Sequence, residues 1–256
     1  MSPLWHRGLV VSCEHASAQV PKDLLEAFAR GSGALGGPAQ SLLQSHRGFD
    51  AGARAVAQQL ARAAHTQALL GSVSRLVVDL NRSAHHPKLF SPVTRALGQQ
   101  ARQALMARYW LPHRQRMHQA IAARLAQAPR CHHLAMHSFT PVLEGQVRGV
   151  DIGLLYDPRR APERLLAQCL AQALTRAFAD HLPALRVRKN QPYRGVSDGL
   201  PTALRAQWGP QQYVGLEIEV NQALVHNRRA WPQTLRRLVQ ACRSGLDQFI
   251  TQHESF

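Results

Sequence analysis

Acidic residues are scarce in this sequence. There are 15 against 31 Lys and Arg in 256 residues, a formal charge of +16. Lysine is scarcer still (Lys22, Lys88 and Lys189), so the other 28 cations are arginines. The stretch Asn81–Leu143 carries nine cations and no anion. Such an excess suits a polyanion-binding face, or a site that draws in small anions. Yet no block of five like charges occurs, and aromatics are only 6%, too few for base-stacking platforms. Arginines on solvated helix faces are the better reading, and nucleic acid is not expected as a partner.

Long apolar runs are also missing. Stretches such as Gly8–Cys13 and Arg75–Leu80 fall far short of a membrane span of roughly 20 residues. The N-terminus lacks the apolar core and small-residue site of a secretory leader. Four cysteines (Cys13, Cys131, Cys169, Cys242) stand far apart with no CxxC pair; a reducing, cytoplasmic setting is expected. Neither standard Gly-rich phosphate loop is present, and Ser12 and Ser138 lack a nucleophile elbow, which disfavours nucleotide chemistry and serine hydrolysis.

What is present is 45% hydrophobic, enough for a sizeable core and too much for a disordered chain. No repeat or linker divides it, so one domain over residues 1–256 is expected. Short β-branched runs are Leu9–Cys13, Arg75–Leu80, His133–Met136, Asp151–Tyr156, Leu185–Arg188 and Tyr213–Val220. Helical spacing marks Ala51–Ala64, Leu97–Gln127, Pro162–Asp180 and Trp231–Gln252, with a short helix from Pro21 followed by a loop at Gly31–Gln40. The alternation predicts an α/β fold, a mostly parallel sheet with helices on both faces.

Four strand runs end in polar clusters: Ser12-Cys13-Glu14-His15, Asp79-Leu80-Asn81-Arg82, His137-Ser138 and Glu217-Ile218-Glu219. Ligands of open α/β sheets bind outside the carboxyl ends of strands, so these clusters are what one shared crevice looks like in sequence. His15 and His137 read either as hydrogen-bonded imidazoles or, with a carboxylate, as a catalytic zinc set. Asp50, just ahead of the helix at Ala51, reads as its N-cap or as the third ligand; Glu14 is an alternative ligand. Glu217 and Glu219 share a face of an apolar strand, as ion-paired acids or as a general base with a pKa raised by burial. Arg82 can fork onto a carboxylate, steady an oxyanion or pair with Asp79; Arg47, Arg194 and Arg148 are weaker candidates of the same kind. The pairs His85-His86 and His132-His133 read as surface or supporting residues.

At these residues the chain resembles the N-formylglutamate amidohydrolase family. The resemblance rests on Ser12-Cys13-Glu14-His15, His46-Arg47-Gly48-Phe49-Asp50-Ala51-Gly52-Ala53, Ser74 to Ser83, His137-Ser138-Phe139-Thr140-Pro141, Asp151-Ile152-Gly153 and Glu217 to Gln222. It implies a zinc-carboxypeptidase-like fold with a mixed twisted sheet, and zinc or another divalent metal held by His15, Asp50 and His137. It further implies Glu219 as the catalytic carboxylate and Asn81-Arg82 as the pair that holds a substrate carboxylate. Arg47, Ser138 and Arg194 complete the expected substrate contacts. The expected substrate is a small acidic N-acyl amino acid such as N-formylglutamate. The alternatives are another N-acyl amino acid, a cell-wall peptide, or a non-catalytic basic domain that binds nucleic acid.

Overall fold

The computed structural model describes residues 8–180 and 184–253. Strands form where β-branched and apolar residues concentrate: β1 Leu9–Cys13, β2 Leu69–Leu70, β3 Cys131–Phe139, β4 Val142–Leu143, β5 Gln146–Val147, β6 Ile152–Leu155, β7 Val187–Lys189 and β8 Tyr213–Asn221. Six of them make one sheet in the order β2-β1-β3-β8-β6-β7, while β4 and β5 form a separate hairpin. Within the sheet all neighbours run parallel except β6 beside β8, the mostly parallel mixed sheet that the alternation predicts. The central strands pair along their full length, from Cys131 opposite Tyr213 to Phe139 opposite Asn221.

The helices are α1 Leu25–Arg30, α2 Ala39–Leu43, α3 Ala53–Ala63, α4 Pro92–Arg95, α5 Gln99–Leu105, α6 Leu111–Leu125, α7 Ala161–Ala177, α8 Leu200–Arg205, α9 Gln222–His226 and α10 Trp231–His253. None of the described helices is long and apolar enough to cross a membrane. The two faces of the sheet differ because side chains alternate along each strand. Leu9, Val11, Leu134, Met136, Leu216 and Ile218 bury against α3, α7 and α10; each such side chain contributes roughly 1.5–3 kcal/mol. The intervening residues lie toward α6 and α8, and many are polar. There His133 bonds Ser12 Oγ and Tyr213 Oη, each at 2.7 Å.

Several expectations change. Arg75–Leu80 is not a strand: Val77 N–H bonds Ser74 O in a local turn, and Asp79 N–H bonds Leu89 O across the loop between them. Its apolar side chains Leu76, Val77, Val78 and Leu80 instead fill a satellite core with Phe28, Leu35 and Val93. The strand position beside β1 goes to Leu69–Leu70. Leu97–Gln127 is not one α-helix, because a π turn at Met106–Trp110 separates α5 from α6. The loop Gly31–Gln40 contains a 3-10 turn at Ser32–Leu35 and the start of α2. His132 and His133 are buried on β3 rather than at the surface.

Candidate metal centre

Three chain segments converge at the carboxyl end of β1 and β3. His15 stands two residues beyond β1, His137 lies near the end of β3, and Asp50 precedes α3. Asp50 does not cap α3: the cap position is Gly52, in the left-handed region at φ 78°. A Cβ on Gly52 would lie 2.7 Å from both methyls of Val225, so glycine is required twice over. The turn frees the Asp50 carboxylate, whose Oδ2 accepts from Ser138 N–H at 3.3 Å and lies 2.9 Å from His137 Nδ1 and 3.4 Å from His15 Nδ1. All three side chains are buried, and one ligand atom from each lies within 4.8 Å of the others. Asp50 Oδ1 has no hydrogen-bond partner among the described residues.

Each imidazole has a carboxylate behind it. His15 Nε2 is 2.7 Å from Asp79 Oδ1, and His137 Nε2 is 2.9 Å from Glu14 Oε2. Both rings therefore present Nδ1 toward Asp50, in the carboxylate–histidine arrangement that orients metal ligands. Glu14, the alternative ligand, lies behind His137 and 3.7 Å from His113 Nε2. Arg75 reaches Asp79 at 3.2 Å and Asp50 Oδ1 at 3.5 Å. Two imidazole nitrogens and a carboxylate fit zinc, with room for a further ligand. Asp79 and the placement of Glu14 are the features that sequence reasoning misses.

The charged groups of the cluster shift one another. Burial disfavours an ionised Asp50, but His15 and the hydrogen bonds from both histidines hold its carboxyl well below the usual range. Burial likewise opposes ionisation of Asp79, and His15 and Arg75 outweigh it. Burial works against protonated His137, yet Asp50 and Glu14 raise it well above its ordinary value. For His15 burial and Arg75 are outweighed by Asp79 and Asp50, and the result is again upward.

These residues open into a cavity of about 280 Å³, the size of a small metabolite site. Glu219, opposite His137 on β8, lines it. Burial, helped by the charges of Asp50 and Glu217, pushes its carboxyl up to about 8 against the pull of His137 and Arg75. Glu217, Asn81, Arg82, Ser138, Arg194, Tyr193 and Asp198 line the same cavity. Arg82 is partly committed, since Nη1 donates to Asp198 O at 2.7 Å and Nε lies 3.9 Å from Asp79. Its own carbonyl accepts from Trp110 Nε1 at 2.9 Å and Arg114 Nη2 at 2.7 Å. Asn81 Oδ1 accepts the Leu200 N–H at 2.6 Å and Nδ2 donates to Glu217 at 3.3 Å. Ser138 Oγ accepts from Gln222 Nε2 at 3.0 Å. Arg47 is not among the lining residues; it donates to Leu35 O at 2.6 Å. Arg194 rides a loop pinned at Gly195, whose N–H donates to Asn190 Oδ1 at 3.0 Å and whose carbonyl accepts from Arg205 Nη1 at 2.6 Å.

The chain is similar in structure to the gene product Atu2144 from Agrobacterium tumefaciens, with 27% identity, 97% of this chain and 92% of that chain covered, and a TM-score of 0.75. It is also similar to an N-formylglutamate amidohydrolase from Ralstonia eutropha JMP134, with 16% identity, 96% and 94% coverage and a TM-score of 0.62, a likeness of fold. No curated protein is significantly similar. The N-formylglutamate amidohydrolase family profile matches residues 7–226. A match of that extent, on a chain whose buried His15, Asp50 and His137 converge on one cavity, leads to one conclusion: the chain belongs to the N-formylglutamate amidohydrolase family, enzymes that hydrolyse linear amides.

Proposed function

We propose that this chain hydrolyses the amide of a small N-acyl amino acid, using a divalent ion, zinc by preference, held by His15, Asp50 and His137. The single observation that carries this reading is the placement of those three groups beside Glu219 in one small cavity. When bound there, the ion supplies Lewis-acid chemistry, raising the acidity of water and polarising the amide carbonyl. Glu14 and Asp79 hold the two imidazoles in orientation. Glu219 takes a proton from the attacking water and delivers it to the departing nitrogen. A carboxyl pushed up by burial suits both halves of that transfer. The C–O bond forms, the C–N bond breaks, and the products are a carboxylic acid and a free amino acid.

Arg194 and Arg82 are the cations available to a substrate carboxylate and to the developing oxyanion, a charge interaction worth about 3 kcal/mol when well placed. Asn81 acts by steadying Glu217 and the start of α8, and the Ser138 hydroxyl faces the substrate. Arg47 has no part in this reading. The four cysteines are free and buried, which suits the cytoplasmic setting we propose. The test is turnover of N-formyl and N-acetyl amino acids, N-formylglutamate first, by zinc-loaded protein. Release of the free amino acid, abolished by a chelator and restored by zinc, is expected. Hydrolysis that a chelator leaves untouched would overturn the metal-dependent reading.

A further inference from the structure

Buried polar atoms without partners gather behind the metal centre. Glu14 Oε1 and both ring nitrogens of His113 have no hydrogen-bond partner among the described residues. Both side chains are buried, and they face each other. His113 Nε2 lies 3.7 Å from Glu14 Oε1, while Oε2 of the same carboxylate lies 2.9 Å from His137 Nε2. Glu14 thus stands between two imidazoles, and one of them is His137 of the ion site.

The helix that carries His113 shows that packing alone does not call for a histidine. Along α6, His113, Met117 and Ile121 are spaced four residues apart and all are buried, which puts them on one face. Met117 and Ile121 fill an apolar cluster with Val10, Cys131 and Tyr213, and α6 packs against β1 and β3. A third apolar side chain would continue that stripe, whereas an unpartnered polar group in the interior is costly. A histidine at its head is useful where a neighbour needs a donor. Glu14 Oε1 is such a neighbour. His113 Nε2–H reaches it by closing about 0.7 Å, from 3.7 Å to an ordinary hydrogen-bond length.

From this we infer that His113 is a positioning residue for the ion site, its Nε2–H engaging Glu14 Oε1 and fixing the carboxylate that orients His137. The contacts run from α6 through Glu14 to His137. His113 does not line the cavity, so it acts on the ligand and not on the substrate. A carboxylate gripped only at Oε2 can rotate about its last side-chain bond, which has broad torsional freedom; one held at both oxygens cannot. The inference rests on the reading of His15, Asp50 and His137 as ion ligands and adds to it a residue from outside the cavity.

The experiment is a double-mutant cycle on zinc affinity, measured on metal-depleted protein by competition with a chromogenic chelator. H113F keeps a ring of similar size and removes the donor; it should weaken zinc binding about tenfold. H113Q returns an N–H near the place of Nε2 and should stay within about threefold of the parent. In the E14A background, which lacks both carboxylate oxygens, adding H113F should change affinity by less than about twofold, because both substitutions break one chain of contacts. H113L replaces H113F in the cycle if H113F does not fold. A ring that only fills space behaves otherwise. Parent affinity in H113F, no rescue by H113Q, or a full loss repeated in E14A would each overturn the inference. Failure of the ion-site reading looks different. A parent protein that takes up no zinc removes that reading and this role with it, whereas a parent that binds zinc, with H113F unaltered, removes the role of His113 alone.

Discussion

Glu219 is a carboxyl buried against β3, one position across the sheet from His137. Its replacement by Gln keeps shape and burial but removes proton transfer. Glu219→Gln should retain one equivalent of metal while turnover falls by roughly 10²–10⁴-fold; turnover close to the unsubstituted rate would remove Glu219 from the proton-transfer role. The carboxylates behind the histidines have a different signature. Asp79→Asn and Glu14→Gln should each weaken metal affinity by roughly 10–100-fold, as read by competition with a chromogenic chelator, and unaltered affinity would show that the rings need no such support. The sequence makes His15, His137 and Glu219 visible because each directly follows or alternates with an apolar strand run. It leaves Asp50 open between cap and ligand, since only the left-handed turn at Gly52 decides which way the carboxylate points. Glu14 behind His137 and Asp79 behind His15 are not legible at all. Their roles depend on the side-chain faces at a strand end and on a turn whose path the sequence does not specify.

At the level of elements, the turn from Asp50 into α3 ties fold to chemistry. Gly52→Ala forces a non-glycine residue into the left-handed region and a methyl toward Val225. The expected cost is about 2 kcal/mol or more in urea unfolding, together with weaker metal binding. Val225→Ala in the same chain should recover the steric part and leave the backbone part; full recovery would show that the left-handed turn is unstrained for alanine. The strands and long helices are legible because their periods of 2 and 3.6 reflect which face is buried. Arg75–Leu80 misleads for a physical reason. Its density of Leu and Val matches a strand, but its backbone bonds go to Ser74 and Leu89 and its side chains serve the satellite core. Apolar content reports burial; it does not say whether a neighbouring strand is there to pair with. The break in Leu97–Gln127 is equally hidden, since a π turn changes neither composition nor polarity. That turn ends in Trp110, whose indole N–H donates to the Arg82 carbonyl.

Across the whole molecule, protonation couples the site to stability. In the ion-free chain burial is outweighed at His15 and His137, so both hold their protons above the ordinary imidazole range, while burial pushes Glu219 up to about 8. The folded chain then binds more protons than the unfolded chain between mildly acidic and alkaline pH, and stability falls as pH rises. The histidine contribution is complete below the unfolded imidazole value and is lost as pH climbs through the raised folded values. The Glu219 penalty begins above the ordinary carboxyl range and is complete above about 8. Urea unfolding of metal-free protein between pH 5.5 and 9 should show a decline on the order of 3 kcal/mol. The decline should be smaller in Glu219→Gln, and smaller again with zinc, which binds the neutral imidazoles. A flat profile in all three would contradict the coupling. The excess of arginine over acidic residues draws anions toward a cavity lined by Arg75, Arg82 and Arg194. The most direct test of the account is the metal content of purified protein, by elemental analysis, beside His15→Ala, Asp50→Ala and His137→Ala. One equivalent of a divalent ion in the parent, and less than about a tenth in each folded variant, is the predicted result. A full equivalent retained after any of these substitutions would place the ion elsewhere and contradict the account.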